Sequence, residues 1–396
     1  MNSNISFSLQ DKTEIDLKQL QSSTIDLLRF PLAIMVIFIH YAPQVVNVME
    51  ADFSLLSGRG IYNLLGIIFS YVLPNIAVPT FFLISGFLFF LNFQHWSWKG
   101  YGKKIRSRVK TLIIPYLLWN LFPFVLLIMT QLVDVFHSGK ALSEVWQYIQ
   151  ANFIHVFYDI HHWNAGVNWL GEKLVLTGPY NLPLWFLRDL IVVTFLSPII
   201  FYAIKKFRIF TLLFLFLAYI SMIWIQVPGF QILAFFYFAT GAYFALNGIN
   251  IVSFVNKNRY IIIPLSVILL VVSTLYCGTE TTVISIAFPL FICSTVFASF
   301  YVASYCIKKY GVKPNKLLVS SCFFIYALHN VAIPGIGTII LSSQKIWHAI
   351  IPGNSWVDDI LCYFISPFFA VAICIIVLII CRKTIPRITL LFSGNK

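Results

Sequence analysis

Apolar residues recur along this chain in blocks of about 20, parted by short polar or basic connections, and a helix of that length crosses the roughly 30 Å of a bilayer's hydrocarbon. Such blocks at 25–47, 77–94, 109–133, 183–205, 207–225, 230–249, 258–277, 281–307, 315–342 and 357–381 predict about ten transmembrane helices. A shorter, interrupted apolar stretch at 60–75 reads as an interfacial or re-entrant piece before the second span. The expected fold is therefore all-α, a polytopic integral membrane protein. Residues 1–24 form a polar N-terminal segment, 25–381 the transmembrane domain, 134–182 its longest connection, and 382–396 a short basic tail.

Charge orients these helices. Lys and Arg in short loops stay on the cytoplasmic side, and with the N-terminus inside 21 of the 27 basic residues fall there, among them Lys99, Lys103, Lys104, Arg106, Arg108 and Lys110. Only Arg59, Lys140, Lys173 and Lys345 face the opposite side, while Arg29 and Arg188 lie within spans. Both termini are thus expected in the cytoplasm, with the protein in the inner or plasma membrane. A chain that is 59% hydrophobic and 10% charged is not a soluble domain. Its net +13 is spread over six cytoplasmic segments, a topology signal and not a nucleic-acid footprint. The first 24 residues lack the basic-then-apolar order of a cleavable signal, so the first span is expected to insert uncleaved.

Ionisable residues inside apolar blocks are the next signal, because each costs about 2.5–3.5 kcal/mol at bilayer depth even on the lenient scale. Arg29 and His40 share the first block, and eleven residues of helix bring both onto one face about 16 Å apart. A forked, permanent cation suits phosphate or carboxylate, and an imidazole suits proton transfer near neutral pH. The plainer alternative pairs Arg29 with Asp26 and bonds His40 to a backbone carbonyl. Arg188 and Asp189 open the fourth block; as neighbours they point about 100° apart and need not pair with each other. They are candidates to orient a group such as His40 or to line an acceptor path, or else to form an ion pair with another span. His329, near the middle of the ninth block, is a second base or a helix-bridging histidine. Ser85 is a conceivable nucleophile, but its neighbour Gly86 favours close helix packing.

The aromatic residues of the 134–182 connection, Trp163 among them, suit a carbohydrate and equally an interfacial aromatic belt. His155, His161 and His162 lack zinc spacing, so no metal is expected. The seven cysteines, all in the last third, read as small apolar packers, with a bridge between Cys277 and Cys362 left open.

Ile25-Asp26-Leu27-Leu28-Arg29 followed by His40 resembles the Arg-x10-His signature of membrane acyltransferase family 3, whose members O-acylate bacterial glycans. Pro79 to Phe87, the basic run ending at Pro115-Tyr116, Leu184-Trp185-Phe186-Leu187, Phe236 to Gly241 and Ile325-Tyr326-Ala327-Leu328-His329 are similar to its later blocks, in order, over nearly the whole chain. The resemblance implies an acyl-CoA co-substrate, acetyl-CoA first, a sugar hydroxyl as acceptor and no bound cofactor. It carries Arg29 and His40 over as the essential pair, His40 as base for the acceptor hydroxyl or as brief carrier of the acyl group, and Arg29 toward the CoA end. Where many members have Arg-x-x-Arg before the third span, this chain has Lys103-Lys104-Ile105-Arg106-Ser107-Arg108. Arg106 and Arg108 are the candidates for CoA phosphate, against anionic lipid headgroups. Arg188, Asp189 and His329 are candidates for catalytic support, and Trp185, Trp163 and Tyr326 for acceptor binding.

The competing class is a transporter or flippase using intramembrane Arg, Asp and His as its pathway; it lacks visible repeated halves. The acyl group, the acceptor glycan and the oligomeric state are not encoded in these motifs. Single cysteines placed in 134–182 should react with a membrane-impermeant maleimide in intact cells. Labelling only after permeabilisation would reverse the orientation.

Overall fold

The computed structural model describes residues 2–41, 58–93, 95–139, 141–333, 337–351 and 355–394, with side chains from Asp16 onward. Residues 42–47 of the first predicted block, 334–336 of the ninth, and Lys140 lie outside the described residues. Five helices are long and apolar enough to cross a membrane: Asp16–Ile39, Gly58–Phe90, Trp98–Ser138, Thr282–Tyr310 and Trp356–Thr384. Seven spans result if each of two bent pairs counts once, Leu182–Phe195 with Ser197–Phe207 at 61° and Ile232–Leu246 with Ile251–Lys257 at 97°. Ile209–Ser221, Arg259–Leu275 and Lys316–Leu328 are apolar but shorter. Every predicted block thus overlaps an apolar helix, while length and apolarity together qualify five to seven of them as spans. The protein is a multi-pass membrane protein.

Three local expectations change. Residues 60–75 are no separate piece: Gly58–Phe90 runs as one helical rod, with a π turn at Ile67–Val72 and a 3-10 turn at Leu73–Ile76. Pro74 sits at the start of that 3-10 turn, where a missing N–H breaks no bond. The ninth block is not one helix. It stops at Leu328, and the chain turns where Ile333 and Gly337 exchange backbone bonds of 3.0 and 2.8 Å, with Gly337 at φ +85°. A new helix, Ile339–Ile350, starts under a Thr338 cap.

The third change is a β-hairpin, His161–Val167 against Lys173–Gly178, a local addition to a fold that is all-α as expected. Asn168 makes its turn: its Oδ1 accepts from the N–H groups of Leu170 and Glu172 at 3.0 and 2.9 Å, and its amide donates to Glu172 Oε2 at 2.8 Å. Gly171, at φ +78°, supplies the left-handed position that this tight reversal needs.

The chain divides into two compact units, residues 1–95 with 237–322 and residues 96–236 with 323–396. In the first, Arg259–Leu275 and Thr282–Tyr310 pack as an antiparallel pair, and the first helix lies along Thr282–Tyr310. Phe82, Phe89, Phe90, Phe238, Phe291 and Phe300 fill its interior. Two glycines allow backbones to touch: a Cβ on Gly86 would stand 2.0 Å from the Phe238 carbonyl oxygen, and one on Gly241 would stand 2.0 Å from that of Leu83. Gly86 is therefore a packing residue. In the second unit, Trp356–Thr384 packs along Ile339–Ile350, and Pro386–Phe392 returns to Trp98–Ser138, where Trp119 Nε1 donates to the Phe392 carbonyl at 2.9 Å.

Gly86→Ala and Gly241→Ala should each cost about 1–3 kcal/mol by overpacking, read as a lower melting temperature of the detergent-solubilised protein. Gly102→Ala, with nothing within 4 Å of the new methyl, should hold it or raise it slightly, since a glycine inside a helix costs about 0.5–1 kcal/mol relative to alanine.

Candidate active site

Arg29 and His40 belong to the first unit, on the helix Asn2–Ile39. Arg29 Nη1 meets Asp26 Oδ1 at 2.9 Å, one turn away, with side chains 22% and 41% exposed. This is the pairing that the sequence held as the plainer alternative. The pair occupies one edge of the guanidinium, and its other N–H groups have no protein partner among the described residues. Arg29 and Asp26 also line a cavity of about 650 Å³, with Lys18, Gln21, Asn92 and Asn250 among its polar walls and Phe87 and Phe244 among its apolar ones. A forked donor beside an open space is a site for an anionic oxygen group.

His40 stands one residue beyond the helix. Its N–H bonds the Ile37 carbonyl at 3.0 Å, a three-residue step that tightens the last turn, so the straight-helix projection onto Arg29's face holds only as far as Ile39. The His40 side chain is half-buried, beside the buried Tyr41. Packing above it is fixed by Ser70, whose hydroxyl donates to the Phe38 carbonyl at 2.6 Å.

Ser85 lies in the first unit, beside the packing residue Gly86, and the remaining candidates lie in the second. Arg188 and Asp189 are 4% and 0% exposed and, against the expectation from their spacing, they pair: Arg188 Nε meets Asp189 Oδ1 at 3.0 Å. The 100° between their Cβ directions is closed by the length of the arginine stem, which curls back over the shorter carboxylate. Arg188 Nη1 also donates to the Tyr158 carbonyl at 2.6 Å and to Thr177 Oγ1 at 3.1 Å. One guanidinium thus holds the helix Trp185–Phe195, the hairpin and the segment before it.

His329 is not mid-span but just past the end of Lys316–Leu328, fully buried, with Nδ1 3.1 Å from the Ile325 carbonyl. A carbonyl only accepts, so Nδ1 carries a proton in this contact. Tyr326 lies beside it, ring centroids 6.1 Å apart, packs edge-on against Phe186 at 4.8 Å, and donates its hydroxyl to the Pro183 carbonyl. Tyr326 is thereby a packing strut, its phenol already used. Trp185 is half-buried at the start of its helix, and Trp163 is half-buried on the hairpin opposite Leu176. Arg106, exposed, and Arg108, half-buried, close the first segment of the Trp98–Ser138 rod.

Two asparagines escaped the sequence reading. Asn120 is fully buried; its amide donates to the Tyr116 carbonyl at 2.8 Å while its Oδ1 accepts from Asn181 N–H at 2.9 Å. Asn181 in turn donates to the carbonyls of Trp119 and Ala327, at 3.3 and 2.8 Å, and so ties the entry of the Trp185 helix to the helix that precedes His329. The signal was present: an amide in the apolar block 109–133 is expensive for the same reason as Arg29.

With this geometry in place, the chain was compared with known proteins. The family model of the acyltransferase domain, family 3, matches residues 23–381. The chain is also 25% identical over 389 residues, 95% of its length and 92% of the relative's, to the succinoglycan biosynthesis protein ExoH of Rhizobium meliloti (strain 1021). No solved structure matches.

Asp189→Asn should leave the buried guanidinium without its counter-charge and cost about 3–5 kcal/mol, seen as a collapse of thermal stability. Asp189→Asn combined with Arg188→Met should recover part of that loss, since no buried charge is then left unpaired.

Proposed function

The chain belongs to membrane acyltransferase family 3, and from that premise we propose that it moves an acyl group, acetyl first, from acyl-CoA to a hydroxyl of a cell-surface or lipid-linked carbohydrate. The observation that carries this reading is Arg29 on the first helix, with N–H groups to spare beside a cavity of about 650 Å³, eleven residues before His40. A long cofactor-like donor with phosphate groups needs such a space and such a fork. The name of the ExoH relative, a succinoglycan biosynthesis protein, supports a polysaccharide as the acceptor class.

In this reading His40 is the general base. It takes the proton of the acceptor hydroxyl as that oxygen attacks the thioester carbonyl. The new carbon–oxygen bond forms, the carbon–sulfur bond breaks, and the proton passes from the imidazolium to the departing CoA thiolate. Arg29 holds the anionic end of the donor, and Asp26 fixes the guanidinium by occupying one of its edges. Lys and Arg on the N-terminal side support entry of the donor from the cytoplasm. A flippase would use the same intramembrane residues, and family membership favours acyl transfer over it.

Purified protein given acetyl-CoA and a glycan acceptor should release free CoA thiol in an acceptor-dependent manner, and His40→Ala should lower that rate about 100-fold or more. Arg29→Ala should raise the KM for acetyl-CoA about tenfold or more, with Arg29→Lys intermediate, because a point charge keeps the attraction and loses the fork. Full activity of His40→Ala would remove the base from this mechanism. Turnover with succinyl-CoA alone would change the acyl group and leave the mechanism standing.

A further inference from the structure

The second unit contains a cavity of about 200 Å³ that none of Trp163, Trp185 and Tyr326 lines. It lies between the second hairpin strand, the end of Ile209–Ser221 and the segment leading into Ile232–Leu246. Three aromatic residues, Tyr219, Trp224 and Phe230, form part of its wall. They are held rigidly. Trp224 Nε1 donates to the Phe230 carbonyl at 2.8 Å, Phe230 stacks on Phe235 at 5.9 Å, and Tyr219 stacks on Phe236 at 5.5 Å. The hairpin edge is pinned to the same wall, for Val175 N–H donates to Gln226 Oε1 at 3.3 Å.

Polar groups converge on this mostly apolar space. Arg188 lines it and is only 4% exposed; its Nε and Nη1 are engaged, while Nη2 has no hydrogen bond among the described residues. The Gln226 amide nitrogen and the whole side-chain amide of Gln231, both at the cavity, likewise have no partner among the described residues. Arg188 is nearly buried and Gln231 half-buried, so their unbonded N–H groups are short of water as well as of protein partners, whereas Gln226 is exposed at the mouth. This constellation is tuned to a ligand that presents oxygen.

The balance of charge narrows the ligand. Asp189 already neutralises Arg188 at 3.0 Å, so an anion would enter next to a buried carboxylate, whereas a neutral hydroxyl or ring oxygen meets the free N–H without that repulsion. An aliphatic chain would satisfy the walls and leave Arg188 Nη2, the Gln226 amide nitrogen and the Gln231 amide unbonded. A pyranose ring has apolar C–H faces for aromatic walls and an edge of hydroxyls that both donate and accept.

We infer that this cavity is a saccharide subsite that seats one sugar ring of the acceptor, with Arg188, Gln226 and Gln231 bonding its hydroxyls and Tyr219, Trp224 and Phe230 packing its faces. The inference rests on the carbohydrate acceptor proposed above and gives it a place. Val175 on the hairpin and Met222, Ile225 and Val227 on the loop opposite, all more than a third exposed, rim the cavity, so the ring enters between the hairpin and that loop.

Binding can be measured without any donor, which separates this subsite from the acyl-transfer reading. Saturation-transfer NMR on the full chain in nanodiscs, with glucose, galactose and cellobiose as probes, should show transfer to ring protons for at least one of the three. Gln231→Ala removes a side chain that bonds nothing in the protein, and Ala165→Trp fills the space from the half-exposed hairpin; each should weaken binding about tenfold. Elution volume and melting temperature matched to the parent protein certify both folds. Saccharide signals that are absent, or equal in parent and both variants, overturn the subsite. So does quenching of tryptophan fluorescence by a doxyl-labelled phospholipid that Ala165→Trp relieves, which would make the cavity a lipid-chain site. Sugar binding that responds to both variants in a protein that releases no CoA from any acyl-CoA would keep the subsite and remove the acyl-transfer reading.

Discussion

Hydrocarbon offers no hydrogen-bond partner, so every polar side chain placed among these helices must find one inside the protein. Most take the nearest solution, the carbonyl one turn back: Thr24 to Leu20, Thr80 to Ile76, Ser266 to Ile262, Thr274 to Leu270 and Asn120 to Tyr116, at 2.7 to 2.8 Å. Such bonds cost the fold little and specify little beyond a slight bend. The informative groups are those that cannot be satisfied locally. A guanidinium has five N–H donors and no acceptor, and one helix cannot supply them all.

Arg188 distributes that excess over three parts of the chain. Its bonds reach a carboxylate on its own helix, a carbonyl in the preceding connection and a hydroxyl on the hairpin, and this reach gives a chain of apolar helices a defined corner. The Asn120 and Asn181 pair makes a second such junction nearby in sequence, from the Trp98–Ser138 helix to the Lys316–Leu328 helix. The same excess leaves Nη2 directed at open space. Structural fastening and ligand binding are then two uses of one side chain, with different nitrogens assigned to each.

Arg29 obeys the same rule in the first unit. Asp26 takes one edge of its fork, and the remaining donors border a cavity large enough for an extended substrate. A compact ammonium in that position keeps the charge but lacks the planar fork that can serve Asp26 and an anion with separate edges. His40 follows the last helical residue, where its N–H closes a three-residue step on the Ile37 carbonyl.

Amino-acid order alone determined that this is a multi-pass membrane protein of helices, where the apolar helices lie, and that Arg29, His40, Arg188, Asp189 and His329 are out of place among them. It did so because hydrophobic block length and the cost of a buried charge are local properties, readable residue by residue. The Ser-Gly pair was legible for the same reason, since a residue without a side chain in an apolar helix marks a close approach. Apart from Arg29 with Asp26, partners were not legible. Whether Arg188 bonds its own neighbour, where helix Lys316–Leu328 stops and so leaves His329 at an end, and that Lys173–Gly178 pairs as a strand all depend on which groups the folded chain brings within reach. Only the tertiary structure decided these, because a long side chain chooses among acceptors by distance in space, and the hairpin, the loop at 222–231 and the Trp185 helix become neighbours of one guanidinium only once the chain has folded around it.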